Sequence, residues 1–187
     1  MRADRRVERI ERLIADSGID YTILRPALVV GDGDILVNNI AYFLRRLPVF
    51  TIFGDGSYRA QPITVDAFAD VALEAIGGDH RRATLAVAGP FDWTFLDMVR
   101  AVRSAVGSRA LILRAPAWIA LAGLTAAGVL LRDVVLTSDE VKGLTREYLC
   151  AVNPLRRGAD FADWLRQPGV AATLGAKYES ELARHFR

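Results

Sequence analysis

The chain has 187 residues, of which 52% are hydrophobic, and a formal net charge of +2, so it can bury one sizeable core. The charge comes from dispersed arginines rather than a basic stripe, which argues against a nucleic-acid-binding protein. Cys150 is the single cysteine, which excludes an internal disulfide and indicates a reducing, cytoplasmic compartment. The histidines, His80 and His185, offer neither a metal cluster nor support for Cys150 as a nucleophile.

The first elements are a helix and a buried strand. Apolar residues recur at helical spacing over residues 3–16, which predicts an amphipathic helix. Tyr21–Leu24 is continuously apolar or β-branched, as expected for a strand buried on both faces of a parallel sheet. Pro26 lacks a ladder donor, so we expect this strand to stop at Arg25. Ligands bind beyond the carboxyl ends of strands in open α/β sheets, which makes Arg25–Val30 the first candidate for a site.

Helices and short strands then alternate up to about residue 115. Asp66 is the expected cap of the third helix, and Thr94 that of the fourth. The predicted elements are a helix at 35–47, strands at 49–53 and 61–65, a helix at 66–76, a strand at 84–87, a helix at 95–106 and a strand at 111–113.

The remainder of the chain is mostly helical in its pattern. Ala115–Leu131 carries no charge before Arg132, and a buried helix explains it better than membrane contact, because small residues make it weakly hydrophobic. We predict further helices at 139–150, 161–165 and 174–186. Three tryptophans, at positions 93, 118 and 164, fall in separate elements, which favours packing roles over a stacking surface.

A glycine-rich phosphate-binding turn is missing from these residues. The turns Gly31-Asp32-Gly33 and Gly54-Asp55-Gly56 place aspartates where a phosphate would be repelled, so both are interpreted as ordinary turns.

Two motifs resemble a known family. Ser17–Pro26 followed by Val29-Val30-Gly31, together with Gly54–Asp66, is similar to the carboxyl-terminal part of atypical and extended short-chain dehydrogenase/reductases. The Gln61-Pro62 pair resembles the NmrA-like branch and the Rossmann-type accessory subunit of respiratory complex I, since sugar-nucleotide epimerases carry an aromatic or aliphatic pair there and an arginine at the position of Ala60. Leu174–Arg184 resembles the tail of bacterial members.

The resemblance implies an α/β fold with a partial Rossmann-like parallel sheet over residues 1–93 and a mostly helical substrate-side region over residues 94–187. It implies NAD or NADP as cofactor and a small-molecule substrate. The backbone that faces the nicotinamide in the family corresponds to Pro26, Ala27, Leu28 and Val29. On the substrate side we place Arg25, Asn38, Gln61 and Asp66, with Arg25 and Asp66 as a hypothetical ion pair that orders two loops or only braces them.

The family's glycine-rich half would precede Met1, and its Tyr-x-x-x-Lys pair would fall near Ala3 and Val7, where neither residue type is present. In the family that tyrosine is the general acid/base, so the catalytic residues of this chain stay unassigned. Tyr42 and Tyr58 are not followed by lysine four residues later, and no metal site is predicted.

Two functions of different classes follow. One is an NAD(P)-binding oxidoreductase or epimerase whose glycine-rich cofactor-binding motif lies outside these residues. The other is a non-catalytic assembly protein that keeps the scaffold, with membrane-surface attachment through Ala115–Leu131 as a third possibility. Because a few parallel strands leave apolar faces uncovered, we expect either a homo-oligomer or pairing with a separate N-terminal half.

Overall fold

The computed structural model describes residues 5–78, 80–116 and 149–175 of the chain. Its helices are α1 (Arg5–Asp16), α2 (Ile35–Arg46), α3 (Val65–Ile76), α4 (Phe95–Ala105), α5 (Phe161–Leu165) and α6 (Val170–Thr173). Its strands are β1 (Thr22–Pro26), β2 (Leu28–Val30), β3 (Val49–Phe53), β4 (Arg59–Ala60), β5 (Pro62–Thr64), β6 (Ala83–Ala88), β7 (Trp93–Thr94), β8 (Leu111–Ala115) and β9 (Leu155–Arg156).

The strands pair mostly in parallel. The main sheet has the order β1-β6-β9, with Pro26 opposite Val87 and Ala88 opposite Arg156. Two further parallel pairs, β2-β5 and β3-β8, and one antiparallel pair, β4-β7, complete the described strands. This arrangement confirms the predicted α/β fold with a parallel sheet.

The first strand does not stop where the sequence suggested. It runs through Pro26, and after Ala27 the chain resumes as β2 with β5 as its new partner. The backbone N–H of Ala27 donates to the Val87 carbonyl at 2.9 Å, so the nitrogen of Pro26, one residue earlier, faces away from β6. Proline therefore removes no hydrogen bond from the β1-β6 ladder, and the predicted end at Arg25 is wrong.

The expected burial of β1 is also wrong. All five residues from Thr22 to Pro26 are half-buried rather than buried, because β1 lies at the edge of the described sheet. The apolar residues of β1 are therefore typical of a central strand, although this strand lies at the edge of the described sheet.

Helix boundaries follow local capping chemistry. Thr94 caps α4 as predicted, because its hydroxyl accepts the Asp97 N–H at 3.1 Å. For α3 the predicted cap is wrong: Thr64 accepts the Ala67 N–H at 3.3 Å, and Asp66 lies in the first turn. A threonine two residues earlier thus starts the helix, and the Asp66 carboxylate is left exposed near its positive end.

The main core lies where α2, α4 and α5 meet. Phe161 is its largest fully buried side chain and lies edge-on to Trp93 at 5.4 Å, between ring centroids, and stacked with Trp164 at 5.8 Å. The packing role predicted for these two tryptophans is confirmed, and Trp118 lies outside the described residues. A smaller cluster of Ile63, Ala67, Val71 and Val87 joins β5, α3 and β6.

Several predicted elements lie wholly or mostly outside the described residues, namely the helices at 115–131, 139–150 and 174–186. The described helices are each too short or too polar to cross a membrane. The main core joins residues before and after position 93, and the division into regions 1–93 and 94–187 stays a prediction.

Candidate functional site

Three chain segments meet beyond the carboxyl end of the main sheet. The turn after β1 is held there by Ala27, whose N–H bonds to the end of β6, and Arg157 donates its N–H to the Ala88 carbonyl at 3.0 Å. The Gln61 N–H donates to the Leu149 carbonyl at 2.9 Å, which brings the segment around residue 150 to the same edge. This edge is where ligands bind in open α/β sheets.

Gly89, directly after β6, allows this convergence. A Cβ atom at this position would lie 1.8 Å from the Pro62 carbonyl oxygen, a distance that no side chain tolerates. Glycine therefore permits the end of β6 to lie against the start of β5. The sequence shows the Gly89-Pro90 pair, but it does not show which backbone this glycine approaches.

Gln61, predicted on the substrate side, is buried at this edge. Its Nε2 donates to Asp92 Oδ1 at 2.9 Å, and its Oε1 accepts the Ala151 N–H at 2.8 Å. Both ends of the amide are thus used to hold two segments together. Gln61 lines the cleft described next, and contact with a substrate stays a prediction.

Asp92 is the carboxylate on which two arginines converge. Arg156 donates Nη2–H to Asp92 Oδ1 at 2.8 Å, and Arg59 forms an ion pair with Oδ2 of the same carboxylate. Arg156 Nη1 also reaches the Gly89 carbonyl at 3.0 Å and that of Pro90 at 3.3 Å. The loop after β6 is therefore fixed by a guanidinium from β9.

A cleft of about 500 Å³ opens beside this network, lined by Arg59, Gln61, Arg156 and residues 151–154. Two guanidinium groups and one carboxylate leave a local excess of one positive charge. Such a cleft favours an anionic group. Sequence reasoning missed Asp92 and Arg156 because they lie 64 residues apart, and only the pairing of β6 with β9 brings them together.

The predicted ion pair between Arg25 and Asp66 is wrong. Arg25 instead binds the carboxylate of Glu11 on α1 in a bidentate manner, with Nε donating to Oε1 at 2.7 Å. This hydrogen bond lowers the pKa of Glu11 and raises that of Arg25. The side chain of Arg25 points to the face of β1 on which α1 lies, and Asp66 is exposed on α3.

The Asn38 side chain holds the segment around Gly175 against α2 and does not line the cleft. It is buried on α2, and Oδ1 accepts the Gly175 N–H at 2.7 Å. Arg46 donates to the Gly175 carbonyl at 3.1 Å, and Arg45 donates to the Ala171 carbonyl at 2.6 Å. The structure therefore assigns Asn38 a structural use, and its substrate-side role stays a prediction.

The residues predicted to face the cofactor, Pro26–Val29, lie at the carboxyl edge of the main sheet. Leu28 and Val29 pair with Pro62 and Ile63 in the β2-β5 ladder, and Ala27 is buried beside the end of β6. This turn presents the small side chain of Ala27 beside the aliphatic side chains of Leu28 and Val29. Contact of these residues with a nicotinamide stays a prediction.

Tyr58 is not equipped as a proton donor. Its ring stacks on Phe95 with centroids 4.9 Å apart, and its buried hydroxyl has no hydrogen-bond partner within the described ranges. Burial, and to a smaller degree the charge of Asp55, raise the pKa of Tyr58 above its ordinary value. A raised pKa makes the hydroxyl a weaker acid than that of an ordinary tyrosine, and no described group is placed to take up its proton, so Tyr58 is poorly suited to donate one.

A parallel β1-β6-β9 sheet between α1 and α3, with a cleft at its carboxyl edge, defines a Rossmann-like α/β protein. Solved structures show the same fold. The UDP-glucose 4-epimerase of Thermotoga maritima gives a TM-score of 0.50 and 23% identity, over 58% of this chain and 37% of that one. The GDP-mannoheptose C4 reductase of Campylobacter jejuni, with NADP bound, gives 0.51 and 14%, over 83% and 50%.

A GDP-D-glycero-L-gluco-heptose synthase from Campylobacter jejuni, determined in the presence of NADPH, gives a TM-score of 0.51 at 11% identity, over 87% of this chain and 55% of that one. The chain thus spans between about a third and about half of these structures. No family model matches the sequence, and no curated protein does. The resemblance to a partial extended short-chain dehydrogenase/reductase is confirmed at the level of the fold.

Proposed function

We propose that this chain is the substrate-side part of an NAD(P)-dependent epimerase or reductase of the short-chain dehydrogenase/reductase type, acting in the cytoplasm on a small anionic molecule. The observation that carries the proposal is the cationic cleft at the carboxyl edge of a parallel sheet, next to the turn after β1. The Gln61-Pro62 motif favours the NmrA-like branch. Two similar structures are described with NADP or NADPH, which supports this cofactor class.

The residues present fit one end of such a dinucleotide. Ala27, Leu28 and Val29 form an apolar wall that suits the nicotinamide ring. The two Gly-Asp-Gly turns expose Asp32 and Asp55, whose negative charges disfavour a pyrophosphate. The residues that bind the pyrophosphate therefore lie outside the described residues. When bound, the cofactor supplies hydride transfer, and this chain positions the ring and the substrate.

The cleft holds the anionic part of the substrate. Arg156 is anchored by two carbonyls and Asp92, whereas Arg59 has a largely exposed side chain and, among the described residues, pairs with Asp92 alone. Arg59 can therefore turn a guanidinium edge toward a phosphate or carboxylate while Arg156 keeps the cleft in shape.

Titration with uridine diphosphate and with NADPH or NADH, followed by fluorescence, tests the proposal. We expect saturable nucleotide binding that weakens about tenfold in Arg59→Gln, the effect of losing one charge-assisted contact. Arg100→Gln is the matched control, because Arg100 is equally exposed and pairs with Asp97 on α4, away from the cleft. Equal binding by the two variants would contradict the role of the cleft.

A second function is favoured by one observation. Positions Ala3 and Val7 lack the tyrosine and lysine of the family's acid/base pair, which fits a non-catalytic assembly protein that keeps the scaffold. Saturable NADPH or NADH binding in the sub-millimolar range is expected only of the first function, so its presence would exclude the second. Absence of binding for both uridine diphosphate and the dinucleotides would favour the second.

A further inference from the structure

Three of the polar side chains that line the cleft are directed at one carboxylate of the chain itself, that of Asp92. Arg59, Gln61 and Arg156 line the cleft, and each contacts this carboxylate through a hydrogen bond or an ion pair. Gln61 and Arg156 contact Oδ1, whereas Arg59 contacts Oδ2. Asp92 therefore already occupies donors that an anionic ligand in the cleft would need.

The backbone places Arg59 and Asp92 side by side. In the antiparallel pair of β4 and β7, Arg59 lies opposite Thr94, and Asp92 directly precedes β7. The loop that carries Asp92 is also held by the hydrogen bonds of Arg156 to its carbonyls. The carboxylate is thus fixed in place, and a change of partner requires only that the Arg59 side chain rotates.

The two arginines differ in how readily they can leave Asp92. Arg156 makes three hydrogen bonds to the loop after β6, and its side chain is 37% exposed. The Arg59 side chain is 60% exposed and, among the described residues, pairs with Asp92 alone. Because exposed ion pairs contribute little free energy, Arg59 can exchange Asp92 for another anion while Arg156 stays bound.

Asp92 competes with an anion that enters the cleft. A ligand gains the contact with Arg59 only if the contact of Arg59 with Asp92 is given up, which weakens binding of the ligand. Because Asp92 is tethered beside Arg59, its effective concentration is high, and a weakly charged ligand does not displace it. A phosphoryl group, with three acceptor oxygens and a charge of about −1.5 to −2, competes better than a single carboxylate.

We propose that Asp92 is a built-in competitor that keeps the charge of Arg59 engaged until a phosphoryl group displaces it, and that it thereby sets the affinity of the cleft for anions. The inference rests on the proposed function, because it concerns the same cleft, and it deepens that function by assigning the anionic group and the exchange that admits it. A carboxylate that only braced the cleft would have the opposite effect, since its loss would loosen the cleft and weaken binding.

Calorimetric titration of the full chain with inorganic pyrophosphate and with malonate tests the exchange. Asp92→Asn keeps an oxygen that accepts from Gln61 but has no charge for Arg59. We expect the variant to bind both anions about tenfold more tightly than the parent chain, which is the effect of removing one charge-assisted competitor. Asp163→Asn is the matched control, because it also removes one carboxylate, from an exposed pair with Arg166 outside the cleft lining. It should change binding by less than about twofold.

Two comparisons separate exchange at Arg59 from simple charge repulsion. Repulsion by the Asp92 charge grows with the charge of the ligand, so its removal alone would favour pyrophosphate more than malonate. Exchange instead raises both affinities by the same factor. In an Arg59→Gln background no guanidinium is available for release, so Asp92→Asn should then tighten binding by less than about twofold.

A second measurement uses the parent chain and does not depend on the folding of a variant. When pyrophosphate is added, the guanidinium NMR signal of Arg59 should shift strongly. The signals of the Arg156 guanidinium and the Gln61 side-chain amide should stay almost unchanged, because both groups keep their hydrogen bonds to Asp92.

The proposal is overturned by weaker or unchanged anion binding in Asp92→Asn, by an equal gain in the control, or by a larger gain for pyrophosphate than for malonate. A gain that persists in the Arg59→Gln background, or equal shifts of the two arginine signals in the parent chain, would overturn it as well. Failure to bind uridine diphosphate and NADPH would refute the proposed function, while an exchange measured with pyrophosphate would still support this inference. Nucleotide binding without any gain in Asp92→Asn would refute this inference alone.

Discussion

The two sides of the molecule differ in how their apolar residues are used. On the closed side, α2, α4 and α5 bury Val37, Met98 and Phe161 almost completely. On the open side, α1 and α3 flank β1 and leave large aliphatic side chains exposed. The difference teaches that stability comes mainly from the closed side, because aliphatic side chains that stay exposed to water contribute little to it.

The sharpest test of this contrast compares two phenylalanines. Phe161→Ala removes a fully buried ring from between Trp93 and Trp164, and we expect it to lower the free energy of unfolding by about 3–5 kcal/mol. Phe91→Ala, at a ring that is 60% exposed, should change it by less than about 0.5 kcal/mol. Urea unfolding measures both, and similar losses would show that burial of the Phe161 ring does not set its contribution to stability.

A partly buried carboxylate gives the closed side a distinctive pH dependence. Asp34 caps α2 by accepting the Val37 N–H at 2.7 Å, and burial raises its pKa to about 6. The folded state therefore binds the proton more tightly than the unfolded state. The contribution of Asp34 to the free energy of unfolding should rise by about 2 kcal/mol as the pH falls from about 6 to about 4.

Asp34→Asn keeps a capping side chain but cannot titrate. Urea unfolding of the parent chain and the variant at about pH 4.5 and about pH 7.5 isolates the effect, because every other group is common to both proteins. We expect the parent to gain stability relative to the variant at the lower pH. An unchanged difference between them would show that Asp34 does not titrate in this range.

The Asp92 carboxylate beside the cleft should contribute more to stability than an ordinary surface carboxylate. Asp92→Ala leaves Gln61 without a partner on one side and two arginines without their shared carboxylate, so we expect a loss of about 1–2 kcal/mol. Asp163→Ala breaks an exposed pair with Arg166 within α5 and its cap, for a loss of about 0.5 kcal/mol or less. Thermal unfolding compares the two variants. Equal shifts in melting temperature would show that Asp92 contributes no more than an ordinary surface charge.

The smallest effect is expected on the open side. Glu11→Gln weakens the bidentate pair that attaches α1 to β1, and the partly exposed setting limits the loss to about 1 kcal/mol. Because this hydrogen bond lowers the pKa of Glu11, its contribution is present at neutral pH and disappears as acid protonates the carboxylate. Asp66→Asn, on the exposed first turn of α3, should cost no more than about 0.5 kcal/mol. A larger loss of unfolding free energy for Asp66→Asn would contradict the structure and favour the ion pair with Arg25 that the sequence suggested.

Local patterns in the sequence determined most of the helices and strands. The apolar spacing of α1, the Thr94 cap of α4 and the span of β3 all follow from residues within one or two turns of each other. Two motifs were also enough to predict the family of folds, because they cover β1, β2 and β5, which meet at the carboxyl edge of the main sheet.

Tertiary structure decided which polar groups meet. Gln61 and Asp92 are 31 residues apart in the sequence, and Asp92 and Arg156 are 64 residues apart, yet each pair is in contact. Arg25 pairs with Glu11 and not with Asp66. Strand order and helix placement fix these neighbours. The sequence of β1 is likewise typical of a central strand, whereas the pairing pattern places it at an edge of the sheet that the described residues form. Short-range periodicity encodes the elements, and long-range pairing decides which of their surfaces stay exposed.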